Sequence, residues 1–176
     1  LENSLGIDVD LFLNNIFGGG KKMQSLKRYW SRFGVLLISA VLMLGSAGVL
    51  GVFGLPLGIE FTDIGDDFIK ARMPVDERTH QVHGILHGGA TCVLAETVGS
   101  FASLMCIDLD KNYAVGSQIS ANHLRPVSDG YVTATCKPVH LGRKKHVWDI
   151  EIHADNGKLI AKSELTCMVT EKPNGK

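Results

Sequence analysis

The sequence predicts an α+β domain in which an antiparallel sheet wraps around one long apolar helix. Three observations lead there. Several segments alternate apolar and polar residues with the period of two that marks half-buried strands, and turn residues separate them. One stretch, Gly84–Ile107 (GILHGGATCVLAETVGSFASLMCI), is small and apolar, with Glu96 as its single Asp, Glu, Lys or Arg. The order of segments is two strands, the helix, then four strands, and a sheet curved around that helix would cover a surface that is apolar almost all round.

The chain changes character near Leu57, which divides an atypical N-terminal region, residues 1–56, from the α+β domain, residues 57–176. Residues 34–54 (GVLLISAVLMLGSAGVLGVFG) carry no charge and are long enough to cross a hydrocarbon layer of about 30 Å. Lys21, Lys22, Lys27, Arg28 and Arg32 precede them without an acidic residue, the pattern of a membrane anchor or an uncleaved signal with a cytosolic N-terminus. The other reading is an apolar segment packed against the domain or in an oligomer interface. Met23 is a candidate start residue, which would leave residues 1–22 upstream of the protein proper. The expected location is the cytoplasm, with membrane association through residues 34–54.

Within the domain, Leu57–Ile64 and Asp67–Val75 alternate on either side of a turn at Gly65-Asp66. A loop over Asp76–Leu86 leads into a helix around Gly88–Cys106. Tyr113–His123 is the next strand, and Ser128-Asp129-Gly130 turns the chain into Tyr131–Val139. Pro138 has no N–H for a ladder, so that strand end is an edge or a bulge. His146–His153 alternates cleanly, Asp155-Asn156-Gly157 is a hairpin signal, and Leu159–Val169 follows.

Composition removes several function classes. Lys plus Arg number 18 and Asp plus Glu 18, so no bulk field draws the chain to nucleic acid. The four cysteines, Cys92, Cys106, Cys136 and Cys167, contain no CxxC and read as buried free thiols. His80, His83 and His87 are spaced as H-x2-H-x3-H, but the segment has neither HExxH nor an acidic residue, so neither a metal nor another cofactor is expected.

The chemistry concentrates around Glu96. An unpaired carboxylate in an apolar stretch is costly to bury, so such groups are paired, protonated or functional. Nine residues upstream stands His87, followed by Gly88-Gly89. A helix beginning near Gly88 points free N–H groups at whatever lies over its N-terminus, and these can hold charge developing on a carbonyl oxygen. Ser100 lies one turn beyond Glu96 on the same face, and Gln81 lies in the preceding loop. Donor, carboxylate, hydroxyl, amide and imidazole are therefore expected to meet around one carbonyl group. A second candidate site is basic: Asn122, His123 and Arg125 end one strand, and His140, Leu141, Gly142, Arg143 and Lys144 form a loop whose charges suit phosphates. The plain reading of that loop is a solvated hairpin.

GIEFTDIGDDFIKARMPVDERTHQ, LHGGATCVLAETVGS and ISANHLRPVSDGYVTATCKPVHLGRKKHVWDIEI together closely resemble the hotdog-fold thioesterases. The resemblance is to the branch acting on aromatic acyl-CoA and acyl-carrier thioesters, nearest to dihydroxynaphthoyl-CoA hydrolase-type enzymes of menaquinone synthesis. It implies that Glu96 is the catalytic carboxylate, acting as nucleophile or as general base on water. It implies that Gly88 supplies the N–H that polarises the carbonyl, that His87 and Gln81 orient the thioester or the water, and that Ser100 assists. It also implies CoA contacts from Asn122–Arg125 and His140–Lys144, an acyl-CoA or acyl-carrier protein as partner, and a homotetramer built from dimers that share active sites. The residues agree, since a thiol with a pKa of roughly 8.5 leaves readily and one carboxylate with one oxyanion donor can suffice. No GxSxG elbow is present. His83 and Ile85 stand where that branch leads one to expect an aromatic and a leucine, beside the acyl pocket. Two other readings are a hotdog hydratase or dehydratase acting on acyl thioesters, and a non-catalytic acyl-CoA-binding protein.

Overall fold

A computed structural model describes residues 56–173. The apolar segment 34–54, and the N-terminal region that contains it, lie outside the described residues. The elements follow the predicted order: β1 (Glu60–Ile64), β2 (Ile69–Pro74), α1 (Gly88–Leu104), β3 (Asn112–His123), β4 (Tyr131–Leu141), β5 (Lys145–Ala154) and β6 (Leu159–Glu171). All six strands form one antiparallel sheet in the order β1-β2-β4-β5-β6-β3. The hotdog arrangement expected from the sequence is the one observed.

Alternation sets which side of each strand meets the helix. Ile69, Ala71 and Met73 of β2, Val132, Ala134 and Cys136 of β4, Ile150 and Ile152 of β5, and Leu165 and Cys167 of β6 are buried. Helix α1 lies across this face, touches strands β2 to β6, and buries Leu94, Ala95, Val98, Phe101 and Ala102 there. Each fully buried large aliphatic side chain contributes about 1.5–3 kcal/mol, so this one layer supplies much of the domain's stability. A hydrogen bond between buried side chains, Trp148 Nε1–H donating to Ser103 Oγ at 2.7 Å, joins β5 to the last turn of the helix.

Several boundaries differ from the sequence reading. Strand β1 starts at Glu60 rather than Leu57, because the chain turns through Gly58 at φ 69°. Strand β4 continues past Val139 to Leu141, absorbing Pro138 in a register shift between Pro138 and His140. The β5–β6 turn has Gly157 at φ 76°, a conformation that glycine adopts freely. Strand β3 pairs along its length with β6 and, among the described residues, has no other neighbour in the sheet, so its second edge is open there. Among the described residues no helix is long and apolar enough to cross a membrane.

Candidate active site

The loop before α1 is held by its own backbone. Asp76 accepts bonds from the Arg78 N–H and Arg78 Nε, each at 3.0 Å, which holds its carboxyl below the usual carboxylate range. The buried Thr79 hydroxyl donates to the Pro74 carbonyl at 3.0 Å. His80 and Leu86 then bridge as a short antiparallel pair, closed by a turn through Gly84 at φ 69°. The His87 N–H donates to the Thr79 carbonyl at 2.8 Å, which delivers the chain to the helix start.

His87 is the N-cap. Its Nδ1 accepts the Gly89 N–H at 2.7 Å. A ring nitrogen that accepts an N–H bond carries no proton, so the neutral ring carries its proton on Nε2, free to donate. The Gly88 N–H stands at the first helical position, where no intrahelical acceptor exists. Beside it opens a cleft of about 340 Å³ lined by Gln81, Ile85, Gly88, Thr91, His123 and Arg125, among others. The His123 ring sits against Gly88: a β-carbon there would lie 2.9 Å from His123 Nε2. Arg125 is partly engaged, its Nη1 donating to the Leu159 carbonyl at 2.6 Å. His83 lies exposed at the loop tip, whereas Ile85 reaches the cleft.

Glu96 and Ser100 form a second cluster further along α1. Ser100 Oγ donates to Glu96 Oε1 at 3.2 Å, and the half-buried carboxylate lies over Gly116 of β3. Gly116 pairs across the sheet with Cys167. Burial pushes the Cys106 thiol up to about 11 and raises those of Cys92, Cys136 and Cys167, so none offers a thiolate near neutral pH. The charged group of this cluster is the Glu96 carboxylate.

The basic loop is the β4–β5 hairpin. Gly142 N–H donates to the Lys145 carbonyl at 2.8 Å, and Val169 N–H to the Lys144 carbonyl at 3.0 Å. This leaves the side chains of His140, Leu141, Arg143 and Lys144 exposed. Asn122 is also exposed, opposite Lys162.

Strand β6 serves as a ruler for these groups. His123 pairs with Ala161, Gly116 with Cys167, and the hairpin residue Lys145 with Met168. From Ala161 to Met168 is roughly 23 Å of strand. Gly88 and Glu96 are likewise separated by about 12 Å of helix rise. One chain therefore does not gather the predicted residues around a single carbonyl. Gln81, His87, Gly88, Asn122, His123 and Arg125 collect at one end of the sheet. Glu96, Ser100 and His140–Lys144 collect toward the other. The reason is that α1 runs along the sheet, so two helical turns carry Glu96 away from the N-terminal donors. The sequence reading also passed over Gly116; a glycine inside a strand pattern is the signal of close approach that points to it.

Comparison with known proteins bears on this arrangement. Residues 83–161 match the family model described as thioesterase superfamily. The chain is 42% identical to the 1,4-dihydroxy-2-naphthoyl-CoA hydrolase of Escherichia coli, over 80% of this chain and 98% of that protein. It is 49% identical to the proofreading thioesterase EntH of Cronobacter turicensis, over 64% of this chain and 82% of that protein. Among solved structures, a thioesterase from Haemophilus influenzae matches with a TM-score of 0.67 and 45% identity, covering 73% of this chain and 87% of that one.

Proposed function

The chain belongs to the thioesterase superfamily and is an acyl-CoA thioesterase, and we propose that it completes its active site between two copies and cleaves aromatic acyl-CoA esters with Glu96 as the reacting carboxylate. The observation that carries this reading is the sorting of the site residues into two groups at opposite ends of the sheet. The open edge of β3 is a template for pairing with another strand. The midpoint between Gly116 and His123 falls at Ile119–Ser120. Antiparallel pairing of two β3 edges about a twofold axis there sets Gly116 of one copy across from the His123 end of the other. The oxyanion donors of one copy then face Glu96 of the partner subunit, and the partner's basic hairpin comes to the same mouth.

The chemistry follows from that juxtaposition. The thioester carbonyl oxygen lies on the Gly88 N–H, where the helix N-terminus favours the charge that develops as the carbon becomes tetrahedral. Glu96 either attacks the carbonyl carbon or takes a proton from a water that does so, and Ser100 holds one of its oxygens. Gln81 and the His87 Nε2–H donate to the thioester or to that water. The C–S bond breaks with the electron pair leaving on sulfur, and a thiolate of pKa about 8.5 needs little acid assistance. Where Glu96 itself has attacked, water then cleaves the acyl–Glu96 anhydride, releasing the acid and restoring the carboxylate. Arg143 and Lys144 meet the CoA phosphates together with His123. The aromatic preference is supported by similarity to the naphthoyl-CoA hydrolase. An acyl-carrier substrate, in keeping with the similarity to EntH, is the neighbouring possibility within the same chemistry.

Free-thiol release from matched aromatic and aliphatic acyl-CoAs tests the reading. The expected result is release from both, faster with aromatic acyl groups. Addition of water to an enoyl-CoA without thiol release would favour a hydratase instead.

A further inference from the structure

Ser100 holds the Glu96 carboxylate from the helix side, and what the carboxylate rests against on the sheet side is the backbone of Gly116. A β-carbon built on Gly116 falls on Glu96 Oε1, 2.8 Å from Cδ and 3.0 Å from Oε2. The three heavy atoms nearest that position all belong to the Glu96 carboxylate group. Gly116 is absent from the positive-φ positions, which are Gly58, Gly84, Gly130 and Gly157, so its backbone does not require glycine. What glycine supplies is room: a β-carbon here would move the carboxylate, the flexible end of the Glu96 side chain. The strand is also irregular here: its register with β6 shifts between Gly116 and Gln118, and the Ser117 hydroxyl donates to the Thr166 carbonyl at 3.2 Å. Such bulges bend a strand locally and are frequent beside active sites.

We propose that Gly116 is the positioning residue of the catalytic carboxylate: the missing side chain on β3 is the seat that holds Glu96 against the strand, with Ser100 bonding it from the helix side. This rests on the proposed catalytic role of Glu96 and adds a determinant on a different element. The helix decides where the Glu96 backbone lies, and β3 decides how far its carboxylate reaches. Because β3 is also the edge proposed to pair between copies, the seat and the donors facing it are set by one strand.

The seat is tested with Gly116→Ala in three backgrounds: wild type, Glu96→Asp and Glu96→Ala. In the wild-type background the β-carbon displaces the carboxylate, and kcat should fall about 100-fold while KM stays within about threefold. Aspartate is one methylene shorter and withdraws from the strand. Gly116→Ala in the Glu96→Asp background should therefore change kcat by less than about threefold, a coupling that residues out of contact do not show. A general weakening of β3 would instead lower activity equally in both backgrounds, and that result overturns the proposal. Retention of kcat by Gly116→Ala within about threefold of wild type overturns it as well. If Gly116→Ala fails to fold, the Glu96→Ala background decides: folding restored there upholds the clash with the carboxylate, and failure in both assigns the glycine to the strand alone. Glu96→Gln is measured alongside. Full activity of that variant defeats the catalytic role of Glu96 and the seat with it, whereas an inactive Glu96→Gln beside an active Gly116→Ala defeats the seat alone.

Discussion

Two inactive variants should restore activity to each other when they share an oligomer. Glu96→Gln removes the reacting carboxylate from one group of residues, and Gln81→Ala removes an orienting amide from the other. The structure places these groups about two helical turns apart in one chain. In a twofold dimer each site takes Gln81 from one copy and Glu96 from its partner. A mixed dimer then holds one site with both residues intact and one site with neither. Random assortment makes about half of the dimers mixed, so about a quarter of all sites are intact, and the mixture should approach about 25% of wild-type kcat. Each variant alone should sit at or below about 1%, the range for loss of one acid–base or electrostatic participant. The assay is thiol release from an acyl-CoA after co-expression of the two variants, with the separately purified variants as controls. Activity of the mixture no higher than the mean of the controls would refute a site shared between copies and return Glu96 and Gln81 to one chain.

Other consequences follow from particular contacts. Ser103→Ala leaves the Trp148 Nε1–H without its acceptor in the core, and should lower stability by about 1–3 kcal/mol in denaturant unfolding; a loss under about 0.5 kcal/mol would mean that the indole finds another partner. His146 is 3% exposed, its Nδ1 has no partner among the described residues, and burial, followed by the charge of His140, holds its pKa below 6.5. The unfolded chain therefore takes up this proton first as the pH falls. The contribution is complete above pH about 6.5 and is lost as the pH drops through that value. His146→Phe should flatten the melting temperature between about pH 7 and 5, and an unchanged slope would show that another group sets it. Arg143→Ala should raise KM for an acyl-CoA about tenfold, as expected for one charge-assisted phosphate contact, and leave KM for a short acyl-pantetheine within about twofold. Equal increases for both would remove the phosphate role.

Period-two patterning was most legible in β2, β4, β5 and β6, because each of these strands buries one side against the helix, as in the alternation Val132-Ala134-Cys136. The helix start was legible from His87-Gly88-Gly89, and the structure adds what residue types alone do not specify: the His87 ring is itself the cap. An edge or a bulge at Pro138 was legible because proline has no N–H to donate, and the structure shows a register shift between Pro138 and His140. Strand order was not legible. That β3 lies beside β6, far from its sequence neighbour β4, is a property of long-range pairing, and it separates the candidate residues into two ends. The partner of Glu96 in the sheet was hidden for the same reason, since nothing local to Gly116 reveals which side chain rests on it. Ends of strands were misjudged by a few residues where glycine, as at Gly58, turns an apolar run that would otherwise extend β1.

The proposed mechanism places the hydrolysis on one carboxylate of α1. The direct measurement is the single-turnover rate of thiol release from a bound aromatic acyl-CoA by wild type and by Glu96→Gln, with binding of the intact ester measured for both. Glutamine keeps the size of the side chain and an acceptor for the Ser100 hydroxyl, so folding and ester affinity should be unchanged. The rate should fall by about 10²–10⁴-fold with the ester still bound, the range for removing one acid–base participant. Turnover within a few-fold of wild type from a folded, ester-binding Glu96→Gln protein would contradict it.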